Sequence, residues 1–147
     1  MLLRDALLAF VHFALILTLA GLLLSELALY QRTMARASLD LLQRIDLGYG
    51  IVAGLVVLSG LARMYWGLKG PTFYTHNPAF WIKMGLFGTI ALLSLAPTLH
   101  YIRIGSRDGD SIEIEAPAYR GMRRFLIAEA VLLLLLPLFA ALMARGL

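Results

Sequence analysis

Residues 6–24 read ALLAFVHFALILTLAGLLL, an apolar run that continues with little interruption to Tyr30. An α-helix needs about 20 largely apolar residues to cross the hydrocarbon core of a bilayer. The apolar part of a signal peptide is shorter, about 7–15 residues, and ends at a small-residue cleavage site. No such site follows here, so the run predicts a permanent membrane span over about residues 6–30.

The same composition returns in three later segments, at about residues 47–66, 79–102 and 125–143. Of the 147 residues, 61% are hydrophobic and 15% are charged, whereas a soluble domain carries about a quarter charged residues. The sequence therefore predicts an all-α integral membrane protein, a four-helix transmembrane bundle in a single domain of residues 1–147. The surrounding lipid bilayer is its first expected partner.

Three connecting segments have patterns of their own. Residues 33–46 place leucine and isoleucine at helical spacing and predict an amphipathic extension of the second span. Residues 67–77 predict a short loop that ends at Asn77-Pro78, a favourable helix start. In the acidic loop of residues 105–118, the alternation at residues 112–115 is too short to predict a strand.

Orientation follows from the basic residues, because loops on the cytoplasmic side carry more lysine and arginine. An even number of spans puts both termini on one side. That side has only Arg4, Lys69 and Arg145, whereas the other has Arg32, Arg36, Arg44, Arg103, Arg107, Arg120, Arg123 and Arg124. We expect a protein of the bacterial inner membrane with both termini in the periplasm.

Composition also excludes several functions. The chain has no cysteine, which excludes disulfides and thiolate metal sites. The net charge of +4 comes from arginines that flank spans, so no nucleic-acid partner is expected. There is no phosphate-binding glycine loop and no zinc-protease or hydrolase motif.

Ionisable residues inside spans are costly and are therefore candidates for function. His12, Arg63 and Lys83 are expected at one depth near the outer face, with His76 in the adjoining loop. One interpretation makes His12 an axial ligand of haem iron and the two cations partners of the haem propionates. The other has His12 hydrogen-bonded to a neighbouring helix, with both cations extending to the surface. His76 is a loop residue or a second axial ligand.

A second polar group is expected near the cytoplasmic ends of the spans. It comprises Glu26, His100 and the deeper Glu129, with Asp46 and Arg120 close by. His12 and Glu26 share one face of the first helix and lie about 21 Å apart along its axis. The group forms ion pairs with the neighbouring arginines or, alternatively, a proton path that ends at Glu129. His100 is either an interfacial residue or a ligand of a separate haem.

Three short motifs carry a resemblance: Phe10-Val11-His12 with Ala20-Gly21-Leu22, Phe80-Trp81-Ile82-Lys83-Met84, and Tyr119-Arg120-Gly121-Met122. With them the chain resembles the small four-helix, haem-binding bacterial protoporphyrinogen IX oxidases. It is similar more broadly to the membrane domain of copper-resistance D proteins and to a sister family of uncharacterised four-helix bacterial membrane proteins. Arg123-Arg124-Phe125 departs from the oxidase pattern.

The resemblance implies haem b bound through His12 and a catalytic contribution from Lys83, to which the shared depth adds Arg63. It also implies protoporphyrinogen IX as substrate and a quinone as electron acceptor. A small copper transport or accessory protein is an alternative, although the six methionines form no MxxM motif. A non-catalytic assembly subunit is another. A homo-oligomer would help four helices to enclose a porphyrin, and a Gly50/Gly54 pair predicts a close helix contact.

Overall fold

Four long helices make up most of the molecule. The computed structural model describes residues 1–145, apart from the side chains at positions 143 and 144. The long helices are α1 (Leu2–Leu29), α2 (Arg36–Trp66), α4 (Pro78–Gly105) and α5 (Ala116–Ala144), with a short α3 (Gly70–Thr75) between α2 and α4. Each long helix is long and apolar enough to cross a membrane, which confirms the predicted four-helix membrane bundle.

The long helices pack in a ring, in which α1 contacts α2, α2 contacts α4, α4 contacts α5, and α5 returns to α1. Leucines fill the centre, and Leu19, Leu39 and Leu126 are at most 1% exposed. The opposite faces remain apolar but open, as Leu92 and Leu134 are more than 70% exposed. Such faces suit contact with lipid, because water disfavours a continuous apolar surface of this size.

The two ends of the bundle differ, and we name them by their contents. The terminal end holds Met1, the segment between α2 and α4, and the C-terminal end of α5. The arginine-rich end holds residues 30–35 and 106–115, which join α1 to α2 and α4 to α5.

At the arginine-rich end, two helices extend beyond the predicted spans. Helix α2 begins at Arg36 instead of 47, and α5 begins at Ala116 instead of 125. The amphipathic pattern of residues 33–46 is helical from Arg36 onward, with Leu39 and Leu42 fully buried. Hydropathy marks only the part of a helix that lies in lipid, so it misses a helix that continues beyond the bilayer.

Two short strands correct the prediction for both loops at this end. Strand β1 (Thr33–Ala35) pairs antiparallel with β2 (Ser111–Glu113), and Met34 lies opposite Ile112. The alternation at residues 112–115 is therefore partly a strand, and Thr33–Ala35 is not helical. Arg36 fixes the pair by donating to the carbonyls of Arg107 (2.8 Å) and Gly105 (2.7 Å). A strand of three residues depends on its partner, which lies too far along the sequence to be recognised.

At the terminal end, the predicted loop of residues 67–77 contains α3. Asn77 caps α4 as expected, because its side chain accepts a hydrogen bond from the Ala79 amide at 2.8 Å. Asp5 ties α1 to this segment by accepting from the Leu68 amide at 3.0 Å. The segment is therefore attached to the first turn of α1 and leads directly into α4.

The predicted close contact at Gly50 and Gly54 does not occur within the described chain. A methyl group added at either position would meet no atom within 4 Å, and both residues are exposed. The close approach occurs one to two turns further on, at Gly60, where α2 meets the imidazole of His12. A GxxxG pattern alone cannot show which glycine faces a neighbour.

Candidate functional site

A cavity of about 430 Å³ opens at the terminal end of the bundle, within the 300–1,000 Å³ range of small-molecule sites. It is bordered by His12 from α1, Arg63 from α2 and Lys83 from α4. The sequence predicted one depth for these three side chains, and the fold brings them to one cavity. Its other walls are largely apolar and include Ile16, Leu19, Val56, Phe87, Leu133 and Leu136.

His12 is buried, with 4% of its surface exposed, and is held by a hydrogen bond to α2. Its Nδ1 lies 2.8 Å from Ser59 Oγ, and the Ser59 hydroxyl donates to the Val56 carbonyl at 3.0 Å. Since that hydroxyl proton is engaged, Ser59 accepts from Nδ1–H. This tautomer leaves the lone pair of His12 on Nε2, the nitrogen through which imidazole commonly binds a metal.

Gly60 makes room for the imidazole ring. A methyl group at this position would lie 3.3 Å from Cε1 of His12, which is closer than ordinary van der Waals contact. Ser59 and Gly60 together therefore form a seat on α2 that fixes both the rotation and the position of the ring.

Two cations at the cavity lack acidic partners. The Arg63 guanidinium lies over the Phe13 ring, 5.3 Å from its centroid, and its Nε is buried without a hydrogen-bond partner among the described residues. Lys83 is half-buried, and neither cation forms a salt bridge within residues 1–145. Lys69, which also borders the cavity, lies over the Phe73 ring at 4.2 Å. The cavity therefore offers positive charge to an anionic ligand.

The other two histidines lie elsewhere. His76 is exposed after α3, and its Nδ1 lies 2.9 Å from the Thr72 carbonyl; it does not border the cavity. His100 is near the arginine-rich end, where its Nε2 lies 3.0 Å from the Tyr30 hydroxyl. His100 therefore has its Nε2 occupied.

A smaller cavity of about 100 Å³ adjoins the first and shares His12, Arg63 and Lys83 with it. Two of its further lining residues are Met64 and Met84. These methionines are far apart in the sequence and form no MxxM motif, yet both border the same cavity. Within the described part of the chain, no three histidine or acidic side chains are grouped so as to hold a metal ion.

Comparison with known families agrees with the fold. A family model described as a predicted membrane protein, DUF2214, matches residues 4–147. The chain belongs to the DUF2214 family. No curated protein and no solved structure matches it. The predicted membership of an uncharacterised membrane family is thus confirmed, whereas the kinship of this DUF2214 protein with haem-binding oxidases and copper-resistance D proteins stays a prediction.

Three acids of the second polar group of this DUF2214 protein are buried, but without the predicted ion pairs. Glu26 and Glu129 are each 1% exposed, and Asp46 is 9% exposed. The salt bridges among the described residues involve other acids, Glu113 with Arg32 and Asp40 with Arg36. Arg120 is exposed at the start of α5. The ion-pair interpretation of the group is therefore wrong for the described chain.

Several functional contacts were missed from the sequence. Ser59 is not a candidate from the sequence, yet it orients His12. Lys69 was counted only for topology, yet it borders the cavity. Tyr49 and Thr98 were not considered, although Thr98 donates to Asp46 at 2.8 Å. Single serine, tyrosine and threonine residues are common in membrane helices, so only the helix contacts identify Ser59, Tyr49 and Thr98.

Proposed function

We propose that this protein binds haem b in the cavity at the terminal end and serves as a redox protein of the bacterial inner membrane. The observation that carries the proposal is the meeting of a fixed imidazole with two unpaired cations in one apolar cavity. His12 would hold the iron, and Arg63 and Lys83 would hold the propionates. Positive-inside bias would place this end and both termini on the periplasmic side.

The residues present fit such a group. A haem needs a neutral imidazole nitrogen, apolar walls for the macrocycle and cations for its two carboxylates. The Ser59 contact leaves Nε2 of His12 available, and the buried Nε of Arg63 lacks an acceptor among the described residues. When bound, haem b supplies one-electron redox chemistry.

The residues of the chain would bind the haem, orient it and keep water away from it. Ser59 and Gly60 hold the imidazole in one orientation, and the leucines of α1 and α5 keep the inner wall of the cavity dry. The guanidinium of Arg63 can donate two parallel hydrogen bonds to one carboxylate, whereas Lys83 acts as a point charge. The two cations would therefore fix the ligand's carboxylates near the membrane surface.

Oxidation of protoporphyrinogen IX, with a quinone as acceptor, is the enzymatic form of this proposal. It is supported by the resemblance of the Phe80–Met84 motif and by the third cation, Lys69, at the cavity. A porphyrinogen also carries carboxylates, so Arg63 and Lys83 would be its binding and catalytic residues. Loss of oxidation in Lys83→Met, with haem content retained, would separate this role from haem binding.

The chain offers a matched test, because it has three histidines. We expect His12→Ala to lose bound haem, measured as the haem-to-protein ratio after purification with haem supplied during expression. His76→Ala and His100→Ala should keep it, since neither residue borders the cavity. Full haem content in His12→Ala would contradict the assignment, and so would selective loss in either control.

Copper(I) binding is a second candidate, favoured by the smaller cavity. Thioether and imidazole ligands suit copper(I), and Met64, Met84 and His12 border that cavity together. Copper analysis of protein reconstituted with copper(I) tests it. The double variant Met64→Leu/Met84→Leu should lose copper and keep haem, whereas equal copper in variant and wild type would exclude this site.

A further inference from the structure

Three acidic side chains from three different helices are buried near the arginine-rich end. Glu26 of α1 lies near enough to Asp46 of α2 and Glu129 of α5 for their charges to interact, and all three are at most 9% exposed. We call these three residues the carboxyl cluster. The fourth long helix, α4, completes it with two hydroxyls: Thr98 donates to Asp46 at 2.8 Å, and Tyr101 donates to Glu26 at 3.4 Å.

A second observation points to a ligand at the cluster. The Tyr49 hydroxyl faces Glu129 and Glu26, and Tyr49 is only 4% exposed. Within residues 1–145 it has no hydrogen-bond partner, and neither has Oε1 of Glu26 or Oε1 of Glu129. Three buried polar atoms without partners in one place are costly, because each loses its hydration.

Basic side chains do not supply the missing interaction. No lysine, arginine or histidine among the described residues lies within salt-bridge distance of the cluster. The titratable groups that face it are the phenols Tyr49 of α2 and Tyr101 of α4, while α1 and α5 contribute only Glu26 and Glu129. Nor do the described carboxylates form a group suited to a metal ion.

We infer that the carboxyl cluster is a proton-binding site, in which Glu26, Glu129 and Asp46 carry protons that neutralise their charge inside the membrane. Like charges buried side by side disfavour ionisation, and an uncompensated carboxylate within a span is expensive. A protonated carboxyl also becomes a donor, and can satisfy the carboxylate or phenol oxygens that lack partners.

Protons would enter from the arginine-rich end. Asp46 is the least buried of the three acids, at 9% exposed against 1% for the two glutamates. Toward the cavity, Leu19 of α1 and Leu133 of α5 are at most 6% exposed and form part of the cavity wall. Glu129 lies about 6 Å along α5 from Leu133 and does not itself border the cavity. The test of the proton site therefore does not depend on the proposed haem.

Infrared spectroscopy of the purified protein in an ester-free maltoside detergent tests the inference. Lipid esters absorb near protonated carboxylic acids, so their absence and a comparison of H₂O with D₂O isolate the carboxyl signal. The test variants are Glu26→Gln, Glu129→Gln and Asp46→Asn. The matched controls are Glu113→Gln and Asp40→Asn, which alter exposed carboxylates.

At neutral pH we expect a carboxylic acid band that shifts in D₂O, is lost or reduced in the cluster variants and is unchanged in both controls. The spectrum of the wild-type protein alone shows whether protonated carboxyls are present, because ordinary carboxyls, with pKa values of about 4, give no such band at neutral pH. Absence of the band in wild type would overturn the inference. A band whose intensity is unchanged in all three cluster variants would overturn it equally.

Discussion

The cavity and the carboxyl cluster are opposites within one bundle. The cavity is open and is bordered by the cations Arg63, Lys69 and Lys83. The cluster is closed and contains three acids that are at most 9% exposed. Charges of both signs are therefore present inside the same four helices, yet neither set neutralises the other.

The distance between the two sets of charges explains why they do not neutralise each other. His12, beside the cations, and Glu26, in the cluster, lie on the same face of α1 but about 21 Å apart along its axis. A layer of buried leucines fills the space between them. Since the described side chains do not pair these charges, each end would take a partner from outside: an anion at the cavity and a proton at the cluster. The comparison thus predicts that variants at one end leave the ligand of the other unchanged.

The largest effect is expected from removing both cavity cations, in Arg63→Met/Lys83→Met. A hydrogen bond to a charged group contributes about 1.5–3 kcal/mol, and about 1.4 kcal/mol corresponds to tenfold in affinity. We therefore expect haem affinity to fall by about 100-fold or more, measured by titrating haem into the haem-free protein. Asp46→Asn, in the carboxyl cluster and ten residues along α2 from the cavity-lining Val56, is the control and should leave the affinity unchanged.

A smaller loss is expected in Ser59→Ala, which removes the acceptor for Nδ1–H of His12. Loss of such an orienting contact typically costs about 10- to 100-fold in metal affinity. The same titration measures it. Ser94→Ala is the matched control, because its hydroxyl bonds only to the Ala91 carbonyl of its own helix. Equal affinities in the two variants would mean that Ser59 does not orient the ring.

The smallest effect is expected in Gly60→Ala. Its new methyl group would lie 3.3 Å from Cε1 of His12, so the imidazole must shift by a few tenths of an ångström. We expect a several-fold weaker haem affinity and a shifted absorption band of the bound haem. Gly21→Ala adds the same methyl group where no atom lies within 4 Å. An identical spectrum in both variants would show that the seat tolerates the shift.

Hydropathy was sufficient to predict the four membrane helices, because about 20 apolar residues have few alternatives to a span. It could not predict where α2 and α5 begin, since both helices continue outside the apolar segment. Nor could it predict the pairing of Met34 with Ile112. That contact depends on α1, α2, α4 and α5 packing so that two distant loops meet.

Some of the residues that border the cavity could be predicted from the sequence, for a physical reason. His12, Arg63 and Lys83 are ionisable residues that a span tolerates only at a cost, so depth alone singled them out. Ser59 and Gly60 carry no such cost, and their role depends on the rotation of α2 against α1. At the other end the acids were identified, but the abundance of nearby arginines suggested ion pairs that the helix geometry does not provide.

The most direct test of the account is the absorption spectrum of the purified wild-type protein, recorded oxidised and then reduced with dithionite. The account predicts a Soret band that sharpens on reduction together with α and β bands, as expected for haem b. A colourless protein, purified from cells supplied with haem, would contradict the assignment of the cavity.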